Sequence, residues 1–409
     1  MALKCIIVGG GASGLAAAAY LSRNDIPFVL LEKLDRVGKK LLATGNGRCN
    51  YSNTDLSPFH YGKSSAFVEQ LWQSMSPEDV LSFFSSLGLM SHEEEGRLYP
   101  RTLSASSVLD ALRLSLKDIE NKVCLHTEVT ELKYSSGSWM AKTSGGAVFS
   151  APYLIICAGG SAAPKFGTNG AGFRLLHALG HSIQKPVPAL VQLKCKHSAL
   201  SSLKGMRTRA AIELHINGST VAAETGELLF TEYGLSGICV FQVSGLASRA
   251  LSNGQRIDLL VDFLPELADG PVSKAWLDDR IRLLPDREAL QLLTGVFPRL
   301  LTQAIIREAG ISAGQTALSF DEDQRNTLLR VIHHFPFFID GTNGFDNAQV
   351  TSGGVHTQEV NPRSMESRLH PGLFIAGETL DVDGPCGGYN LHFAFASGLC
   401  AARSVQRKE

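Results

Sequence analysis

The segment Gly9-Gly10-Gly11-Ala12-Ser13-Gly14 carries glycines in the pattern G-x-G-x-x-G, and an acid, Glu32, stands 18 residues beyond Gly14. Residues of these types at this spacing suit one task, holding the pyrophosphate and ribose of a dinucleotide. Gly9 permits a tight turn, Gly11 lets the backbone approach the anion, and Gly14 lets a helix pack closely on a strand. The N–H groups that open the helix hold negative charge. Glu32 is then placed to accept hydrogen bonds from the adenosine ribose. A glycine turn that only packs is the alternative, and the strand before it, the helix after it and Glu32 weigh against that.

A second set of candidates lies almost 370 residues away in the chain. Gly377-Glu378 puts an acid where a sugar-like chain such as the ribitol of FAD would run. Gly387-Gly388-Tyr389-Asn390-Leu391 presents a helix amino end, whose positive pole would stabilise negative charge on the N1/O2 edge of a reduced flavin. A plain NAD dehydrogenase needs neither element, so FAD is the expected cofactor, against the alternative of an ordinary capped strand-turn-helix.

Between these sets, Thr44-Gly45-Asn46-Gly47-Arg48-Cys49-Asn50 is the candidate loop along the flavin. Arg48 could hold the pyrophosphate or a substrate carboxylate bidentately, or serve as a structural arginine on backbone carbonyls. Cys49 has no second cysteine nearby, so an inert thiol is expected, with a pair to Cys386 as the rival. Tyr389 could give a proton to substrate or pack on the flavin. Arg48 and Tyr389 are therefore the catalytic candidates. His333-His334 lacks a carboxylate at metal-ligand spacing, and no metal site is expected.

These residues need a frame. Residues 3–8 read as a buried strand, Leu15 to Arg23 as an alanine-rich helix, and Phe28–Glu32 as a second strand, which together make a βαβ start. A capping box at Ser76 and Asp79 with Pro77 opens a helix that stops at Gly88. Another helix carries an apolar stripe of Val108, Leu109, Leu112, Leu116 and Ile119. Strands at 123–134, 139–143 and 147–149 form a small meander, followed by a buried strand at 153–158. Residues 1–189 and 346–409 are expected to form one discontinuous, Rossmann-like FAD-binding α/β domain. Residues 190–345 read as an inserted substrate domain, β-rich over 190–262 with an Asn217-Gly218 hairpin, and helical over 272–334 (275–283, 287–303 and 324–334). Substrate is expected in the cleft between the two.

Composition bounds the rest. The net charge is −1, which gives no electrostatic footprint for nucleic acid or anionic lipid. No apolar run reaches the roughly 20 residues needed to span a bilayer, and no cleavable leader is apparent. Eight cysteines without a C-x-x-C fit a reducing cytoplasm. Glycine is high at 40 of 409 residues, about a tenth against a usual 7% or so. It gathers at the candidate cofactor segments.

The chain resembles the BaiN/YhiN-type flavoproteins, NAD(P)/FAD-dependent oxidoreductases of the glutathione-reductase-like two-dinucleotide-binding superfamily. The resemblance rests on IIVGGGASGLAAA, LLEK, GKKLLATGNGRCNYSN, GRLYPRTLSASSVLDAL, LIICAGG, GELLFTEYGLSG, VTSGGV and LFIAGETLDVDGPCGGYNLHFAFASG. It implies an enclosed FAD and a middle insertion with a β-barrel-like part and a helical part. By this resemblance Gly11, Ala12, Ser13, Glu32 and Lys33 serve the adenosine-pyrophosphate side, Val129 the adenine, and Ala158-Gly159 the loop over the pyrophosphate. Gly377, Glu378, Tyr389, Asn390 and Leu391 serve the ribitol and isoalloxazine side. Cys386 stands where the family pattern leads one to expect Thr. The Gly167–Gly172 loop is similar to that of fumarate-reductase and ketosteroid-dehydrogenase flavoproteins, which points to reduction of an activated C=C bond in a small or medium apolar substrate. NADH or NADPH would visit transiently, because only one complete fingerprint exists. An RNA-modifying flavoprotein and a flavin-binding sensor without turnover are the alternatives. Oligomeric state is left open.

Overall fold

The computed structural model describes residues 2–117 and 122–408. Ile119, the last member of the apolar stripe, lies outside them. The chain divides into two compact units, residues 1–188 with 345–409, and residues 189–344.

The first unit is built on a five-stranded parallel sheet. Its order is Leu373–Ile375, Tyr153–Ile156, Cys5–Val8, Phe28–Leu31, Val123–Cys124. The strands are short apolar runs with buried side chains throughout the central pair, as a sheet covered on both faces requires. The helix Ala12–Arg23 buries Ala16 to Ala19 completely. Small side chains let the final helix, Tyr389–Gln406, lie directly on it. A Cβ at Gly398 would fall 2.2 Å from the Ser13 carbonyl oxygen.

The 123–134 run is not one strand. His126 adopts a left-handed conformation (φ 51°) and breaks it. Val123–Cys124 therefore joins the parallel sheet, while Val129–Ser135 starts the antiparallel meander with Ser138–Thr143 and Val148–Ala151. The helix Pro77–Ser86 has both arms of the Ser76/Asp79 capping box. Sequence reading did not anticipate the small antiparallel sheet of Ser52–Asn53, Arg97–Pro100 and Ser91–Glu94. Its strands are too short and too polar to show a clear period.

The second unit contains a closed six-stranded barrel, ordered Leu193–Cys195, Gly234–Ser236, Ser219–Phe230, Arg207–Ile216, Ile257–Asp262, Phe335–Thr342. The hairpin turn at Asn217-Gly218 has φ of 51° and 83°, the two positive values of a type I′ turn. Two features depart from expectation. A 15-residue helix, Ile238–Ser252, interrupts the β-rich stretch, started by Gly237 at φ 108°. The expected helix over 287–303 is instead Ala289–Leu292 and Arg299–Glu308, separated by Gly295 (φ 83°) and Pro298.

Candidate functional site

Parallel strands deliver their carboxyl ends to one edge of the sheet, and the sequence candidates follow those ends directly. Gly9 follows Val8, Glu32 follows Leu31, Cys157-Ala158-Gly159 follow Ile156, and Ala376-Gly377 follow Ile375. This edge is where doubly wound sheets bind ligands.

The three fingerprint glycines do different work. Gly9 (φ 104°) cannot carry a side chain, since a Cβ would lie 2.4 Å from the Cys157 carbonyl oxygen. At Gly14 a Cβ would lie 1.9 Å from the Gly9 carbonyl oxygen. Gly11 is different. It caps the helix with φ −82°, a conformation open to any residue, and a Cβ there would meet nothing within 4 Å. Nothing in the chain itself requires glycine at the mouth of this helix. A ligand lying against the unpaired N–H groups of Ala12, Ser13 and Gly14 would. Ser13 also sits under the far strand end, where a Cβ on Gly377 would approach its Oγ to 2.5 Å.

Glu32 is buried and turned into the same edge. Its Oε2 accepts from the Gly10 N–H (2.7 Å) and its Oε1 from the Leu34 N–H (2.9 Å). Each carboxylate oxygen keeps a free lone pair for a ribose hydroxyl. Lys33 is half-buried beside it, and Val129 is buried at the start of the meander. Gly159 (φ 72°) is held by Thr379, whose Oγ1 donates to its carbonyl at 3.4 Å. These residues fit the adenosine half of FAD.

The second half of the site is a clamp of loop residues on the final helix. Asn50 donates to the Ser52 carbonyl (2.9 Å) and accepts from the Gly388 N–H (3.1 Å). Asn53 donates to the Gly387 carbonyl (2.8 Å). Tyr61 donates to the Tyr389 carbonyl (3.0 Å). Gly388 takes φ 99°, and a Cβ there would strike the Ser52 carbonyl oxygen at 2.3 Å. Asn390 spends its side chain on the Gly384 turn, accepting from its N–H and donating to its carbonyl (2.9 and 2.8 Å). What remains for a ligand is the backbone: the N–H groups of Tyr389, Asn390 and Leu391 have no intrahelical acceptor. Glu378 pairs with Lys40 (2.7 Å) and accepts from the Thr351 N–H (2.7 Å).

Arg48 pairs with Glu94 and lies over the Tyr99 ring at 4.3 Å from its centroid. Its Nε is buried without an acceptor among the described residues, an orphan donor of the kind a ligand would satisfy. Gly47 beside it (φ 85°) faces open space. Cys49 is fully buried, and burial pushes its thiol up to about 12, so it is a poor nucleophile near neutral pH. The Tyr389 phenol is raised above its ordinary value, first by burial and then by the Asp55 charge, with Arg97 opposing.

Several residues here escaped sequence reading. The His60 ring lies 4.6 Å from that of Tyr389, and its Nε2 is 2.8 Å from Asp55. Lys40 precedes the Thr44–Asn50 loop and Tyr61 follows it, and neither type nor spacing singled them out. His392 is the clearest omission. It is fully buried, its Nδ1 lies 2.9 Å from Ser52 Oγ, and its Nε2 has no partner. Burial lowers its pKa to about 3. The native imidazole therefore stays neutral where an unfolded one, near 6.5, takes a proton. Stability from this group is complete above about pH 6.5 and is lost progressively as pH falls toward 3. Urea midpoints measured between pH 7 and 4 should fall less steeply in His392→Asn than in the wild type. Parallel slopes would contradict this.

A cavity of about 670 Å³ lined by Leu87, Met90, Arg101 and Leu103, among others, shares none of these residues. Among the described residues no cluster of three or more His, Cys, Asp or Glu is placed to hold a metal, and no helix is long and apolar enough to cross a membrane.

A family model described as "HI0933-like protein Rossmann domain" matches residues 3–404. A 3-dehydro-bile acid delta(4,6)-reductase of Clostridium scindens is 38% identical over 406 residues, covering 98% of each chain. A ribosomal RNA dihydrouridine synthase of Haemophilus influenzae is 27% identical over 423 residues, again covering 98% of each. Among solved structures, a 3-ketosteroid delta1-dehydrogenase from Sterolibacterium denitrificans covers 99% of both chains with a TM-score of 0.54 at 12% identity, a likeness of fold.

Proposed function

The chain belongs to the HI0933-like Rossmann-domain family, and from that premise we propose that it is an FAD-dependent reductase acting on a C=C bond conjugated to a carbonyl. The observation that carries the cofactor is Gly11, a glycine the chain's own packing does not need, at a helix mouth beside Glu32. Gly9, Gly11, Ala12, Ser13, Gly14, Glu32, Lys33, Val129, Ala158 and Gly159 would hold the adenosine and pyrophosphate. Gly377, Glu378, Gly388, Tyr389, Asn390, Leu391 and the loop Gly47-Arg48-Cys49 would hold the ribitol and ring. When bound, the flavin supplies hydride.

The substrate class is supported by chemistry shared between the relatives. A delta(4,6) bile-acid ketone and the uridine ring that becomes dihydrouridine both contain a double bond conjugated to a carbonyl. Saturating it adds hydride at the β-carbon and a proton at the α-carbon. In this chain Tyr389 is the proton donor we assign. Burial keeps its phenol protonated well above neutral pH, and solvent can restore the proton after transfer. NADH or NADPH is the proposed reductant.

A second reading, action on RNA, is favoured by one observation, the full-length match to an enzyme of ribosomal RNA. The net charge of −1 does not decide between the two, because it averages over the whole surface and a single ring can be read by a local site. The test is to identify the released cofactor and then follow anaerobic reduction by NADH and NADPH. Protein that binds no FAD, even when FAD is added, would sink the proposal.

A further inference from the structure

As hydride reaches the β-carbon of a conjugated carbonyl, negative charge builds on the carbonyl oxygen. An active site for this reaction therefore needs a fixed donor or cation at that atom. Most cations around the candidate site already have partners: Lys40 has Glu378, Lys63 has Asp381, and Arg48 has Glu94. Two do not, Lys33 beside Glu32 on the adenosine side and Arg97 near Tyr389, and only Arg97 is placed where a substrate would meet the ring. It is half-buried, and its side chain makes no hydrogen bond or ion pair with any described residue.

Its position is well defined by the small sheet. Arg97 lies directly across from Asn53, whose amide donates to the Gly387 carbonyl two residues before Tyr389. It shares a strand face with Tyr99, two positions on, and Tyr99 carries the Arg48 guanidinium on its ring. Arg97 is close enough to the Tyr389 phenol to favour its ionised form, against the opposing charge of Asp55. The other charged or titratable groups around it are Glu94, which also feels Arg97, and the His60–Asp55 pair, whose imidazole lies on the Tyr389 ring. On its other side Arg97 lies directly across from Glu94, whose carboxylate is taken by Arg48, so the Arg97 guanidinium keeps its donors for water or for a ligand beside the assigned proton donor.

We propose that Arg97 is the substrate-oxygen anchor, donating hydrogen bonds to the carbonyl oxygen conjugated with the double bond that Tyr389 protonates. The atom is the 3-oxo oxygen of a 4-en-3-one or the 4-oxo oxygen of a uracil ring. The assignment rests on the reductase reading above. A guanidinium suits the role because its planar donor fork stays charged at every working pH, and lysine is not equivalent to it.

The experiment compares holoenzyme of the wild type, Arg97→Gln and Arg97→Lys, each checked for equal flavin content. Binding of 4-androstene-3,17-dione and of uridine is read from the flavin absorbance change. Loss of a charge-assisted hydrogen bond predicts that Arg97→Gln weakens whichever probe binds by about ten- to a hundredfold, with partial recovery in Arg97→Lys. A second readout needs neither cofactor nor turnover. In protein labelled with ¹³C at the tyrosine ζ-carbon, the Tyr389 resonance, identified with Tyr389→Phe, should titrate at higher pH in Arg97→Gln and at lower pH in Asp55→Asn. A wild type that binds neither probe, or an Arg97→Gln that binds them as tightly as wild type, overturns the anchor. An unmoved Tyr389 titration overturns its placement. Absence of flavin with a shifted titration would instead defeat the reductase reading while leaving Arg97 beside Tyr389.

Discussion

Gly11→Val should fold normally and lose FAD, whereas Gly14→Ala should destabilise the fold. At Gly11 the backbone already has a conformation that valine accepts, and its Cβ would meet open space. Stability should change by no more than about 1 kcal/mol, the usual scale for a helix cap. The added methyls would occupy the pyrophosphate position over the helix N–H groups, and FAD affinity should fall by at least about a hundredfold, or ~2.7 kcal/mol. At Gly14 the obstacle is the Gly9 carbonyl at 1.9 Å, which belongs to the turn between the central strand and its helix and cannot move aside. Overpacking of this kind costs about 1–3 kcal/mol or more. Urea unfolding of the apoproteins beside FAD titration separates the two effects. Wild-type FAD affinity in Gly11→Val would remove the main support for the cofactor.

Tyr389→Phe should keep flavin and fold while turnover falls by about 10²- to 10⁴-fold, the usual range for losing a general acid. The phenol makes no side-chain hydrogen bond to a described residue, so its removal leaves no buried partner stranded. In the wild type the rate should be flat across neutral pH. It should decline only as pH rises through the phenol's raised pKa, because the protonated form is the donor. Stopped-flow reoxidation of the reduced enzyme by substrate gives the rate directly. Undiminished turnover in Tyr389→Phe would mean that the residue only packs.

The parts of this site that were legible in sequence are those where backbone geometry constrains residue type. Gly9 and Gly14 are glycines because carbonyls crowd them, and Glu32 is found by its distance from that turn. The parallel sheet was legible because its strands are unbroken apolar runs, and the hairpin because Asn217-Gly218 has few other uses. Arg97, His60, Asp55 and His392 were not legible. Arg97, His60 and Asp55 meet Tyr389 only through the small antiparallel sheet and the 55–64 segment, and His392, on the Tyr389 helix, meets Ser52 of that sheet; no local period encodes those meetings. The helix Ile238–Ser252 was hidden for a similar reason, since its apolar positions sit among residues that alternate acceptably as strand. His126 was the subtlest case: one left-handed residue moved Val123–Cys124 from the meander to the main sheet.

The reaction proposed for this protein is transfer of hydride from a bound flavin to a double bond conjugated with a carbonyl. It is tested most directly by mixing anaerobically reduced holoenzyme with a 4-en-3-one steroid, or with uridine-containing ribosomal RNA, in the absence of other oxidants. The expected result is return of the oxidised flavin spectrum together with one equivalent of product saturated at that bond. Flavin that stays reduced with both, while oxygen or quinones reoxidise it readily, would rule out hydride transfer to such a bond.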